Sequence, residues 1–204
     1  MSNKRLPKFD IFNLTSPLFI ILYLCIGFIP NLEAVDKIAP QWLAMTVLNL
    51  MSIFMFINFR KTLSYQLSSV ITSKLSIIYI AFIFWAGASY FYAINPTEVI
   101  VNITRQVNVL IMFLSMAIFL INMKYKKTFL TWVITVILSI EIYAVLNEAL
   151  DMIKNLGFIN SGALKGVTAN RNITAFSLAI KIPFLLYLIH NSKKLWVKLF
   201  TVGL

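Results

Sequence analysis

Apolar and polar positions along this chain alternate in long blocks rather than residue by residue. Six blocks are apolar almost throughout and bounded by charges, at 17–32, 42–59, 75–94, 107–123, 128–147 and 173–190. A bilayer core about 30 Å thick takes roughly 20 helical residues to cross. The pattern therefore predicts an all-α, polytopic transmembrane helix bundle with six complete spans. The first block is short unless its helix starts earlier, near Ile11. Its basic flank (Lys4, Arg5, Lys8) imitates a secretory signal, but no small-residue cleavage site follows Pro30, so it reads as a retained anchor. Residues 195–204 are apolar without a polar tail and read as the start of a seventh span. The expectation is that 1–204 form a single transmembrane domain, the N-terminal half of a longer one.

The blocks are joined by segments of different character. Residues 60–74 are polar and rich in serine and threonine. Residues 95–106 open with Asn-Pro-Thr-Glu, a helix-start signal, and read as a short helix on the membrane surface. The longest connection, 148–172, contains Gly157, Gly162 and Gly166; connections of that length are uncommon unless they serve a site. Glycosylation-type tripeptides at Asn13, Asn102 and Asn172 are short enough to arise by chance.

Composition agrees with lipid as the main solvent: 60% of the residues are apolar and 12% charged. A net charge of +11 would suit nucleic acid if it formed a patch, but the basic residues sit in short clusters between apolar blocks, which is the mark of membrane topology. Twelve of the eighteen basic residues fall in alternate connections: Lys4, Arg5 and Lys8; Arg60, Lys61 and Lys74; Lys124, Lys126 and Lys127; Lys193, Lys194 and Lys198. The other connections hold Lys37, Arg105, Lys154, Lys165 and Arg171 with the acids Glu33, Asp36, Glu98, Glu148 and Asp151. The positive-inside rule then puts the N-terminus in the cytoplasm, with the even-numbered spans running from outside to inside. The single cysteine, Cys25, lies in an apolar block, which excludes a disulfide framework and a cysteine metal site.

Soluble-enzyme motifs are missing: there is no phosphate-cradling glycine loop, no nucleophile elbow and no metal-spaced cluster. The one histidine, His190, ends a block beside Asn191 and reads as an interfacial tip. Polarity inside the blocks is more informative. Glu141 and Lys181 are the ionisable residues well inside spans, each costing about 2.5–3.5 kcal/mol on insertion scales. Glu141 lies roughly 20 Å from the inner boundary and Lys181 roughly 14 Å from the outer one at the helical rise, so the two can meet. Either a structural ion pair or the charged wall of a water-filled cavity follows.

Two polar stripes accompany the pair. Asn170, Thr174, Ser177 and Lys181 share one helical face, as do Arg105, Asn108, Ser115 and Asn122. Serine and asparagine there can be plain interhelical hydrogen bonds. Yet Arg105 and Arg171 stand at, or next to, the outer ends of these stripes. A guanidinium beside free N–H groups at a helix N-terminus suits a phosphate or pyrophosphate. Arginines also serve as ordinary interface anchors.

The segment GVTANRNITAFSLAIKIPF (166–184) resembles the stretch that opens a transmembrane helix in the O-antigen ligase and O-antigen polymerase-like membrane glycosyltransferases, with Gly166, Asn170, Asn172 and Ala175 at the matching positions. WAGASYFYAINPTE (85–98) resembles that family's earlier Trp, Ser and Asn-Pro stretch. The resemblance implies a fold with about twice as many spans. It implies metal-independent, inverting transfer of glycan, without a cofactor, from an undecaprenyl-pyrophosphate carrier to lipid A-core or another glycan. Arginines would hold the pyrophosphate, here Arg171 and Arg105 with Asn170 and Asn172. The family's large loop with its histidine falls later than these residues, so no catalytic base is assigned and these residues alone are expected to be inactive. Two other readings stay open: a secondary transporter or lipid flippase gated by Glu141 and Lys181, and a small accessory membrane subunit.

Overall fold

The computed structural model describes residues 8–30, 36, 38–160, 162–167 and 171–204, and the described residues are helical with short connections. Asn170, Lys4, Arg5, Glu33, Lys37 and the end of the first apolar block at Leu32 lie outside them. Eight helices follow in order: α1 Lys8–Cys25, α2 Ala39–Asn58, α3 Arg60–Ile71, α4 Lys74–Ala88, α5 Pro96–Asn122, α6 Lys126–Leu156, α7 Arg171–Asn191 and α8 Leu195–Gly203. Single 3-10 turns extend α1 over Ile26–Phe28 and α4 over Ser89–Phe91. Among the described residues five helices are long and apolar enough to cross a membrane: α2, α4 with its 3-10 turn, α5, α6 and α7. The first apolar block forms a helix that starts earlier than the block itself, at Lys8, and its apolar part, Leu14–Phe28, is shorter than these five.

The helices form two compact units, Met1–Lys124 and Tyr125–Leu204. In the first, α5 is the hub against which α1, α2, α3 and α4 pack. Phe119 of α5 carries the apolar centre: its ring lies 5.0 Å from Phe19, 5.3 Å from Phe56 and 5.6 Å from Phe12. Lipid tails are as apolar as these rings, so it is close packing and hydrogen bonding that favour protein neighbours over lipid. The polar contribution is a chain of bonds across three helices. Tyr23 of α1 donates to Asn49 of α2 at 2.8 Å and pairs with Ser52 at 2.9 Å. The Asn49 amide donates to the backbone carbonyl of Asn108 on α5 at 2.9 Å and also meets the Asn108 side chain. Asn108 in turn donates to Thr46 at 2.8 Å. Tyr79 fastens α4 to α5 through Gln106 at 2.8 Å.

In the second unit α6 and α7 run antiparallel. Glu141 meets Lys181 near the middle, while Lys127, at the start of α6, shares a hollow with Pro183 and Tyr187 towards the end of α7. Thr131, Ile134, Thr135, Leu138 and Glu141 are buried at the three- and four-residue spacing of one α6 face. The hydroxyls of Thr131, Thr135 and Ser139 bond back to carbonyls four residues earlier, so they enter the seam without an unmet donor. α8 packs on α7 through Val197 and Thr201.

Two connections differ from the sequence reading. Residues 95–106 are not a separate surface helix; 96–106 are the first turns of one continuous α5 of 27 residues. Asn95 caps it, accepting from the Glu98 N–H at 3.4 Å, and Pro96 supplies the first helical residue, so the start signal was read correctly and its extent was not. α6 likewise runs 31 residues to Leu156, nine beyond the expected boundary at Asn147, and so takes 148–156 out of the long connection. Gly157 stops it, with a left-handed φ of 76° that an L side chain rarely adopts. The polar connection 60–74 is itself mostly helical, as α3.

Candidate functional site at the junction of α6 and α7

The connection from α6 to α7 is built on side-chain bonds to backbone. Asn160 accepts from the Gly162 N–H at 3.0 Å through its side chain and from Ala163 at 2.9 Å through its carbonyl, folding the chain into a tight turn. One Glu148 oxygen, on α6, accepts the N–H groups of Lys165 at 2.8 Å and Gly166 at 2.9 Å. Thr174 of α7 donates its hydroxyl to the Lys165 carbonyl at 2.6 Å. Gly166 sits here with φ of 58°, and a Cβ would fall 2.9 Å from the Thr174 methyl and 3.1 Å from Val145. Both the dihedral and the crowding require glycine.

Arg171 is the first residue of α7, where the leading N–H groups of the helix have no intrahelical acceptor. Its guanidinium lies against the turn, within 3.2 Å of where a Cβ on Gly162 would be. Arg171 is exposed and has no carboxylate partner among the described residues. It overlooks a cleft of about 300 Å³ lined by Val145, Leu164, Asn172, Thr174, Ala175 and Leu178. A cation and an asparagine thus edge an otherwise largely apolar hollow. That combination accommodates an anionic head with an apolar chain attached.

Arg105 is differently placed. Because α5 begins at Pro96, Arg105 stands in the third turn rather than at a helix N-terminus, so the dipole argument made for it from the sequence does not hold. Its guanidinium pairs with Asp36 at 2.9 Å and lies 5.6 Å from the centre of the Trp42 ring. Arg105 belongs to the first unit and Arg171 to the second. Of their stripes, Asn108 joins the network around Asn49, Ser115 is buried, and Asn122 bonds back to the Ile118 carbonyl at 2.8 Å.

The structure brings Glu141 and Lys181 together. The Lys181 ammonium lies 2.7 Å and 2.6 Å from the two carboxylate oxygens and 2.6 Å from the Ser177 hydroxyl, and Ser177 is 3.2 Å from the carboxylate. Three acceptors meet three donors, so the cation is saturated. Only 10% of the Glu141 side chain and 15% of that of Lys181 are accessible. In an apolar seam such a pair is costly to break: a lone charge there loses both its partner and its solvent.

Sequence reading missed two features. The Tyr23–Asn49–Ser52 cluster had its signal in asparagine and serine three residues apart inside an apolar block. The Glu148 clasp had none, since it joins residues seventeen and eighteen positions apart through backbone donors that every residue shares. Among the described residues no group of three His, Cys, Asp or Glu is placed to hold a metal ion. Comparison of the chain with protein-family models, curated proteins and solved structures gave no match.

Proposed function

We propose that this chain contributes the N-terminal helices of an envelope-glycan ligase or polymerase of the O-antigen type, working in the bacterial inner membrane. In this reading the chain crosses the membrane six times with its N-terminus in the cytoplasm, and the junction of α6 and α7 faces outwards. Arg171 holds the pyrophosphate of an undecaprenyl-linked glycan, Asn172 assists, and the apolar wall of Val145, Leu164 and Leu178 receives the start of the prenyl chain. The acceptor is lipid A-core or another glycan. One observation carries the reading: Arg171, without a carboxylate partner among the described residues, opens a helix over a mixed polar and apolar cleft, within the segment that resembles the family.

Bidentate guanidinium–phosphate geometry is not reproduced by an ammonium. Arg171→Lys is therefore expected to slow glycan transfer by the full-length protein about tenfold, the loss of roughly one charge-assisted hydrogen bond. Arg171→Ala slows it further, with expression and membrane insertion unchanged because the side chain is exposed. An alanine variant that inserts normally and transfers glycan at the parental rate would make Arg171 a membrane anchor.

The pair Glu141–Lys181 favours a second reading, a transporter or flippase in which the pair acts as a gate. Its saturation by Ser177 favours a fixed link between α6 and α7 over a gate that opens. Dependence of the protein's activity on an ion gradient would reverse that preference.

A further inference from the structure

Two side chains outside α7 line the Arg171 cleft: Val145 of α6 and Leu164, which is not part of a helix. The two residues after Leu164, Lys165 and Gly166, are held at three points by the helices on either side. Glu148 of α6 takes both N–H groups, and Thr174 of α7 takes the Lys165 carbonyl. Gly166 brings the backbone so close to Val145 and Thr174 that even a methyl group would collide. The negative charge of Glu148 is unfavourable beside a proposed pyrophosphate site, and at this position it is committed to backbone donors. A carboxylate is the strongest acceptor a side chain can offer to two N–H groups at once.

We propose that Glu148 is a positioning residue: by clasping Lys165 and Gly166 it fixes the connection that walls the Arg171 cleft, and so sets the affinity of that cleft for a pyrophosphate group. The inference rests on the reading of Arg171 given above. Glu148 touches backbone, not ligand, and acts through the loop. Losing the clasp frees Leu164 and the turn packed against the Arg171 guanidinium, so the cation spends less time aimed at one place.

The test uses the full-length protein with every native cysteine, Cys25 included, replaced by serine and a reporter thiol at the exposed Ala163 (Ala163→Cys). Maleimide labelling of the thiol reads the mobility of the connection, and its suppression by inorganic pyrophosphate reads occupancy of the cleft. Glu148→Ala is expected to raise the labelling rate about tenfold and the half-protecting pyrophosphate concentration by a similar factor, as expected for lost hydrogen bonds to a charged group. Glu148→Gln keeps an acceptor oxygen and restores most of both. Thr174→Val, which keeps the volume and removes the bond to Lys165, moves both readings the same way by less, and stands in should Glu148→Ala fail to insert. Faster labelling with unchanged protection makes the clasp merely structural and overturns the proposal, leaving Arg171 in place. Weaker protection without faster labelling also overturns it, because Glu148 would then act on the ligand directly. Absence of protection in the parent, or equal protection after Arg171→Ala, removes the Arg171 reading and this proposal with it.

Discussion

Ser177, Glu141 and Lys181 show how three side chains on two helices settle a cost that each would bear alone. The ammonium has three donors and finds three acceptors, two of them on the facing helix. Their approach was legible in the sequence, because depth along a helix is counted from its start, and α6 and α7 both start within two residues of their apolar blocks. The role of Ser177 was half legible: it shares a stripe with Lys181, but nothing in its spacing names Glu141 as its partner. Glu141→Gln or Lys181→Met alone strands a charge and is expected to cost up to ~3–5 kcal/mol. The double change recovers part of that loss. Thermal denaturation of the purified variants measures the cycle, and strictly additive losses would show that the two residues do not interact.

At the level of elements, apolar blocks located the helices well and their ends poorly. Hydropathy stops where lipid stops, but a helix continues as long as its backbone finds acceptors. α5 and α6 therefore run past their apolar parts, at one end to the Asn95 cap and at the other to Gly157. This difference moved Arg105 from a helix end into a third turn, so that of these two arginines Arg171 is the one at a helix start. α5 predicts its own check: cysteines placed singly along 97–112, in a background with every native cysteine replaced, should show accessibility with one unbroken 3.6-residue period. A change of phase between Gln106 and Val107 would restore two separate helices.

For the whole molecule the sequence carries more than local geometry does, because lysine and arginine positions report on sidedness, which no internal contact records. With an inward-facing N-terminus, reporter fusions after Lys61, Lys127 and Lys194 should read cytoplasm. Those after Lys37, Glu98 and Lys165 should read the outside. Opposite sidedness at any one of these junctions would undo the six-crossing assignment. The proposed kinship with envelope-glycan ligases belongs to this scale too, since it was read from two short segments together with the expected span pattern and sidedness. The polar clasp at Lys165 and Gly166 was invisible at every scale of sequence reading, being made by backbone groups.

The bonds linking α1, α2 and α5 also set a schedule for the ribosome. Asn49 finds Tyr23 on a helix made before its own, so its carbonyl has a partner as soon as α2 enters the membrane. Its amide waits for Asn108, 59 residues later. At about 5–20 residues per second that is roughly 3–12 s of synthesis in which the amide lacks this partner. Over that interval the α1–α2 hairpin suits retention at the insertion machinery or capture by an insertion chaperone. Release of the nascent hairpin is then expected to await the arrival of α5.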